Sequence, residues 1–161
     1  MTAWPADVER VATFLRETGA EARLEEMSAD VATADAAADA AGCTLSQIVK
    51  SILLVCDGAP VLALVPGDRR VDSAVVARLT ESRRAAIGRP EEVVAATGFP
   101  PGGVAPFPLP LVAQVFVERT LLRHHAVWVG GGSPRHLVRL APTELIRLTR
   151  GRVDDVVRPS A

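Results

Sequence analysis

Lys50 is the first residue whose type and position suggest chemistry. Of the 18 basic residues in the chain, Lys50 alone is a lysine and the rest are arginines. The segment Ile48 to Cys56 predicts a β-strand, whose alternation places Lys50 on one face with Ile52, Leu54 and two further apolar residues. A lysine there either reaches water from the rim of the sheet or is partly buried and binds an anion. The residue pattern leaves both interpretations open.

His136 is the second candidate. Alternation in the predicted strand His136 to Leu140 places it on one face with Val138 and Leu140, while Leu137 and Arg139 point the other way. A buried structural histidine is the plainer interpretation. A position directly after a glycine cluster favours instead a functional role, in which the neutral imidazole hydrogen-bonds an amino group of the substrate or orients a water molecule.

Two glycine-rich segments could bring bare backbone close to a ligand. Residues 98 to 110 form a predicted loop of thirteen residues with five prolines and three glycines, and unstructured loops of that length are often functional. The run Gly130-Gly131-Gly132 follows a strand without opening a helix, so it is neither a Walker loop nor a dinucleotide fingerprint. Its N–H groups could bind a carbonyl or hydroxyl oxygen, and a flexible hairpin turn is the alternative.

Other chemical signals are weak. Cys43 and Cys56 form no Cys-x-x-Cys pair and have no histidine at ligand spacing, which predicts two small apolar side chains and no metal site. His124 and His125 lie in a predicted solvated turn. The sequence has no Gly-x-Ser-x-Gly elbow, no His-Glu-x-x-His motif and no convincing Ser/His/Asp set.

Length and composition set the frame for these residues. A chain of 161 residues favours one domain over residues 1–161, with a core that needs no disulfide or metal. With 48% hydrophobic and 23% charged residues, the composition is that of an ordinary globular domain. The formal net charge of −1 argues against a tight binder of duplex DNA.

The elements that must position these residues mix helices and strands without regular alternation. The expected helices lie at about 6–18, 34–41, 73–79, 90–97 and 142–148, and the expected strands at about 22–27, 48–56, 61–65, 85–87, 112–117, 127–129 and 136–140. Thr33 and Asp72 are predicted N-caps, and Gly42 is a predicted helix end. We therefore expect an α+β fold with a mixed, partly closed, barrel-like β-sheet surrounded by helices.

Four stretches, in this order, resemble the aminoacyl-tRNA editing domain family. That family comprises the YbaK/ProX-type free-standing deacylases and the editing insertion of bacterial prolyl-tRNA synthetase. The matching stretches are Thr33-Ala34-Asp35 with its alanine-rich helix, the strand Ile48 to Val55 with its embedded Lys-Ser pair, the loop Thr97 to Phe107, and the segment Val127 to Leu145. The resemblance covers about residues 28–150 and agrees with the barrel-like fold expected above.

The resemblance implies a hydrolase acting on the ester of mischarged tRNA, in particular tRNA(Pro) carrying Ala or Cys. It implies that Lys50 and His136 are catalytic. Ser51, Gly98, Gly102, Gly103 and Gly130 to Gly132 are the positions that match the family's pocket for the 3′-terminal adenosine and the aminoacyl group. An aminoacyl ester is already activated, so bound water or the substrate itself can be the nucleophile, and no cofactor or metal is implied. Backbone N–H groups of the glycine loops can stabilise the oxyanion.

The loop departs from one branch of the family. YbaK-like Cys-specific members carry Ser-Gly-Gly where this chain has Gly130-Gly131-Gly132, and Asp at the position of Leu137. The Ala-specific type has a histidine in this region, which His136 matches. The alternatives to an editing deacylase are a non-catalytic RNA- or protein-binding module on the same fold and a small-molecule hydrolase.

The expected partners are the acceptor end of aminoacyl-tRNA and prolyl-tRNA synthetase, with neither DNA nor a membrane. No apolar run approaches the ~18 residues of a membrane span, and the first ten residues lack the apolar core of a signal peptide. We therefore expect a cytoplasmic protein. Because the net charge of −1 offers few phosphate contacts, we expect it to contact only the acceptor end of its substrate.

Overall fold

The computed structural model describes residues 4–159 and has a mixed α+β architecture, as predicted. The elements are α1 (Ala6–Glu17), β1 (Ala22–Glu26), α2 (Ala34–Ala41), β2 (Val49–Cys56), β3 (Ala59–Pro66), α3 (Ser73–Leu79), β4 (Ala85–Ile87), α4 (Pro90–Thr97), β5 (Gln114–Glu118), β6 (Val127–Gly130), β7 (His136–Leu140), α5 (Pro142–Thr149) and β8 (Arg152–Asp154). The short strand β8 has no counterpart among the predicted elements.

The strands form two sheets instead of one. The first has the order β1-β7-β6 and is antiparallel throughout. The second has the order β4-β2-β3-β5-β8, with parallel pairing of β5 to β3 and to β8. A single bridge between Ile48 and Trp128 links the two sheets at the start of β2. Closure into a barrel requires continuous pairing around the sheet, so the barrel-like arrangement is not confirmed.

The β2–β3 hairpin forms the centre of the larger sheet. Its turn is the two-residue pair Asp57-Gly58, with φ values of 50° and 86°, whereas the predicted strands leave a gap of four residues, 57–60. Two positive φ values match the twist of the flanking strands, and Asp-Gly is a favoured pair for such a turn. Leu62 and Leu64 pack into one core cluster, whereas the alternate residues of β3 pack into another. Burial on both faces explains why the hairpin is apolar on both sides.

The predicted helix signals hold. Thr33 Oγ1 accepts a hydrogen bond from the Ala36 N–H at 3.2 Å, and Gly42 ends α2 with a φ of 67°. Asp72 Oδ1 accepts from the N–H groups of Ala74 and Val75 at the start of α3. These caps satisfy N–H groups that a helix start leaves without intrahelical partners.

The segment after α4 is more ordered than a plain connector. Gly98 ends α4 with a φ of 74°, and residues Pro101–Gly103 form a 3₁₀ turn. The buried rings of Phe99 and Phe107 anchor the segment in the main core. Both cysteines are free thiols, and no helix within residues 4–159 is long and apolar enough to cross a membrane.

Candidate functional site

A cavity of about 240 Å³ lies where the two sheets meet, and we call it the inter-sheet cavity. Its walls come from the start of α2, the first residues of β2, the 3₁₀ turn at 101–103, the end of β6 and the turn into β7. Six predicted site residues line it: Lys50, Ser51, Gly102, Gly103, Gly130 and His136. The fold thus brings together residues that are up to 86 positions apart in sequence, as from Lys50 to His136.

The cavity follows an open strand edge. On the side of β2 opposite β3, strand β4 pairs only with Leu54 to Cys56. The bridge from Ile48 to Trp128 engages the very start of β2. Residues 50–52 therefore have no strand beside them on that side, and both Lys50 and Ser51 reach the cavity although alternation separates their faces.

Lys50 is held in place by a main-chain oxygen. Its half-buried Nζ donates to the carbonyl oxygen of Arg69 at 2.5 Å. Burial lowers the pKa of Lys50, the charge of Arg70 lowers it further, and Asp68 partly opposes both. Within residues 4–159 the ammonium forms no ion pair with a carboxylate, so it is free to bind an anionic group in the cavity.

Ser51 provides a polar group without a protein partner. Its Oγ is buried and makes no hydrogen bond to any residue in the described range 4–159. A buried hydroxyl in that state destabilises the folded protein by about 1–3 kcal/mol. Because Ser51 lines the cavity, its hydroxyl is available to a bound ligand.

His136 is almost entirely buried, at 5% exposure. Its Nδ1 lies 2.5 Å from Ser133 Oγ, and its ring lies 5.2 Å from the ring of Trp4. Burial lowers the pKa of His136; Glu26 opposes this change and Arg135 adds to it. The imidazole is therefore neutral at pH 7.

Both faces of β7 are buried at its start. Val138 and Leu140 are buried and Arg139 is exposed, as alternation requires. Leu137, which alternation places on the face of Arg139, is also buried and lines the cavity beside His136. The second face of β7 is covered here because Leu137 packs in a cluster with Ile48 and Trp128.

Two glycine loops meet backbone to backbone in the cavity wall. A Cβ on Gly103 would lie 2.7 Å from the Ser133 main chain, and one on Gly130 would overlap the Val104 carbonyl oxygen. Since no side chain fits in either place, glycine is required there for close approach of the two segments. The approach leaves main-chain atoms, not side chains, as this part of the wall.

Three other predicted glycines do not line the cavity. Gly98 ends α4 beside Arg10, in a left-handed conformation. Gly131 donates to the His136 carbonyl oxygen at 2.9 Å, and Gly132 packs with a φ of 102° against the Asp7 carbonyl. These glycines shape the turns around the site, whereas the sequence indicated direct contact with substrate.

Ser133 and Thr33 are cavity residues that the sequence analysis missed as site residues. Thr33 was predicted as a helix cap at the start of a stretch that resembles the family, and Ser133 was not singled out. The available signal was the spacing of Ser133 and His136, because a serine three residues before a histidine can reach its ring across a tight turn. Within residues 4–159, no three His, Cys, Asp or Glu side chains come together as metal ligands.

A second, larger cavity of about 750 Å³ also borders the loop of residues 98–110, and we call it the apolar groove. Its lining includes Phe14, Phe107 and Leu111, with Arg10, Arg150 and Arg152 among them. The Arg10 guanidinium donates to the Thr97 carbonyl at 2.9 Å and lies 4.0 Å over the Phe99 ring. Gly98 borders this groove instead of the inter-sheet cavity.

Comparison with known proteins supports the assignment that the sequence suggested. The family described as the aminoacyl-tRNA editing domain matches residues 28–148. This chain belongs to that family. The match covers the elements from the segment before α2 through α5, which include every wall of the inter-sheet cavity.

Individual relatives agree with the family. YwhH of Bacillus subtilis is 31% identical over 147 residues, which are 91% of this chain and 93% of YwhH. A proline–tRNA ligase of Nitratidesulfovibrio vulgaris is 37% identical over 92 residues, which are 57% of this chain but 16% of the ligase. A crystal structure described as a candidate trans-editing enzyme for prolyl-tRNA synthetase superimposes with a TM-score of 0.88 at 34% identity, covering 98% of this chain and all of that one.

Proposed function

We propose that the protein is a trans-editing deacylase that hydrolyses the ester bond of mischarged tRNA, specifically tRNA(Pro) carrying Ala or Cys. The observation that carries the proposal is the inter-sheet cavity, where the Lys50 ammonium and the unpartnered Ser51 hydroxyl lie together. Membership in the editing domain family supplies the substrate class. The likeness to a candidate trans-editing enzyme supports action on tRNA that prolyl-tRNA synthetase has charged with the wrong amino acid.

Substrate binding in this proposal uses the polar groups at the start of β2. Lys50 binds an anionic or carbonyl oxygen of the terminal nucleotide or its ester, since its amine is positioned but not neutralised. Ser51 gains a hydrogen-bond partner when the ligand enters. A cavity of about 240 Å³ with Val31, Ile48 and Trp128 in its walls suits a small aliphatic or thiol side chain.

Catalysis in this proposal requires no protein nucleophile. The ester is an activated bond, so holding a water molecule, or the substrate's own nucleophile, against its carbonyl carbon supplies much of the rate increase. The attack forms a bond to that carbon, moves charge onto the carbonyl oxygen and then expels the ribose hydroxyl oxygen. The main-chain N–H of Gly130 is the proposed oxyanion donor, because the Gly103 N–H already donates to the Pro100 carbonyl oxygen at 2.9 Å, and His136 orients the reactants.

Deacylation of a panel of charged tRNAs tests the function. Purified protein is incubated with tRNA(Pro) charged with Ala, Cys, Ser, Thr or Pro, and the remaining ester is measured over time. We expect Ala-tRNA(Pro) or Cys-tRNA(Pro) to be hydrolysed well above the background rate and Pro-tRNA(Pro) to be spared. The Lys50→Ala protein, purified in parallel, controls for contaminating esterases. Background rates on all five substrates would overturn the proposal.

A further inference from the structure

The turn before β7 builds a specific pairing of Ser133 with His136. The His136 N–H donates to the Ser133 carbonyl oxygen at 3.3 Å, which closes a tight turn. Ser133 Oγ accepts from the Arg135 N–H at 3.0 Å and lies 2.5 Å from Nδ1 of His136. The serine hydroxyl is thus fixed between a main-chain donor and one particular ring nitrogen.

The hydrogen count at Ser133 decides which atom donates. A hydroxyl has one hydrogen and can accept at its lone pairs, one of which the Arg135 N–H already uses. If Nδ1 carried the ring proton, the hydroxyl would accept a second time and its own hydrogen would have no acceptor among residues 4–159. If instead the hydroxyl donates to Nδ1, the hydroxyl hydrogen and the Nδ1 lone pair are both used, and only the Nε2 proton has no partner among the described residues. The second arrangement leaves the ring proton of the neutral imidazole on Nε2.

The other ring nitrogen is left for a ligand. Nε2 of His136 has no hydrogen-bond partner within the described residues, and it is not among their fully buried unpaired atoms. Both Ser133 and His136 line the inter-sheet cavity, where Lys50 also lies. The His136 ring also packs against the ring of Trp4.

We propose that Ser133 is a positioning residue that holds His136 as the Nε2–H tautomer, so that His136 gives the substrate a hydrogen-bond donor and not a base. The part concerning substrate rests on the proposed deacylase function. In this arrangement Nε2–H donates to an ester, ribose or water oxygen. Because Nε2 carries a hydrogen in this tautomer, it has no free lone pair to accept the proton of an attacking water molecule. That proton leaves to solvent or to the departing ribose oxygen.

Nitrogen NMR of the resting protein tests the tautomer without any turnover. In ¹⁵N-labelled protein, two-bond correlations between the carbon-bound ring protons and the ring nitrogens show which nitrogen is protonated, and the His136→Gln protein assigns the signals. We expect the Nε2–H pattern in wild type at pH 7.5, a mixture of tautomers in Ser133→Ala, and return of the wild-type pattern in Ser133→Thr. A wild-type ring protonated on Nδ1 would overturn the proposal.

The pKa of His136 provides a second readout on the same samples. A hydroxyl that donates to Nδ1 stabilises the neutral ring, so its removal in Ser133→Ala raises the pKa of His136 from its lowered value towards the ordinary one. The Ser82→Ala protein, which loses a hydroxyl pair with Thr80 outside the cavity lining, should leave that pKa unchanged. An unchanged pKa in Ser133→Ala would contradict the donor assignment.

Kinetics separate this role from its rivals. We expect Ser133→Ala to lower kcat roughly tenfold, the effect of one ordinary hydrogen bond, with little change in KM and recovery in Ser133→Thr. A serine nucleophile predicts instead an acyl-enzyme trapped by rapid acid quenching and complete loss of activity in Ser133→Ala, and either result would overturn the proposal. A kcat that falls with a single protonation at the pKa of His136 would show a base and would also overturn it. If wild type hydrolyses no charged tRNA while the NMR pattern is as expected, the deacylase function fails and the tautomer assignment stands.

Discussion

The inter-sheet cavity and the apolar groove border the same loop, residues 98–110, yet they differ in the partners that their polar side chains already have. In the smaller cavity the polar side chains at the start of β2 are left for a ligand, because Ser51 has no partner and Lys50 has only a carbonyl. In the groove, which is about three times larger, Arg10 already has the Thr97 carbonyl and the Phe99 ring, although its Nε is unpaired. The proposed ester site therefore rests on the Ser51 hydroxyl and the Lys50 amine, and not on the size of the cavity.

The largest expected effect contrasts the cation of each cavity. Lys50→Ala should abolish deacylation while lowering the free energy of unfolding by only about 1 kcal/mol, because one hydrogen bond to a carbonyl is lost. Arg10→Ala should do the reverse, keeping deacylation and losing stability through the missing contacts to Thr97 and Phe99. Charged-tRNA assays and urea unfolding of both variants measure the contrast. Unfolding of Lys50→Ala far below wild type would make the lysine structural.

The next effect tests the backbone wall of the inter-sheet cavity. In Gly130→Ala the new methyl group meets the Val104 carbonyl, so the two glycine loops must separate. We expect a loss of roughly 1–3 kcal/mol in the free energy of unfolding together with a large loss of deacylation. Gly102→Ala is the matched control, since its nearest neighbour would be the Ala32 methyl at 3.1 Å and a smaller adjustment suffices. Equal behaviour of the two variants would mean that close approach at Gly130 does not shape the site.

The histidines provide a contrast within one residue type. His136→Ala should lower kcat or change the preference among charged amino acids, because the buried ring lines the cavity. His124→Ala and His125→Ala should behave as wild type, since neither residue borders either cavity. The same charged-tRNA panel reports all three variants. Wild-type rates from a folded His136→Ala protein would return His136 to the role of a buried structural histidine.

The smallest effect concerns the unpartnered hydroxyl of Ser51. Ser51→Ala removes a buried polar atom that bonds to no described residue, so the free energy of unfolding should stay level or rise by up to about 1 kcal/mol. Binding should weaken modestly, with KM for the charged tRNA rising severalfold. Thermal unfolding and initial rates over a range of tRNA concentrations measure the two changes. A marked loss of stability would mean that Ser51 has a structural partner.

Much of the local structure could be predicted because its causes are local. Thr33 and Asp72 cap helices through their own side chains, and Gly42 ends α2 because its backbone tolerates a positive φ. The strands predicted at about 48–56 and 61–65 pair as β2 and β3, although their Asp57-Gly58 turn is two residues shorter than the predicted gap. Strand β8 was missed because three residues beside Gly151 carry no period of their own and pair only through β5.

The candidate site was predictable as a set of residues but not as an arrangement. Lys50 was distinguished because it is the only lysine in the chain and lies in an apolar strand, and both features are visible in the sequence. The separation of Gly130 from Gly131 and Gly132 was not visible, because all three are the same residue in one run. The glycines differ only in the segment that each one packs against: Gly130 lies against Val104, and Gly132 lies against Asp7.

The sequence by itself determined the mixed α+β composition of the fold, the family and the residue that places a positive charge at the start of β2. These features follow from short-range propensities and from motifs in a fixed order, which are written along the chain. The tertiary structure alone decided that two sheets meet at Ile48 and Trp128, that Ser51 lacks a partner and that Ser133 reaches His136. Such facts depend on which distant segments pack together, and the open edge of β2 exists only because β4 stops at Ile87 opposite Leu54.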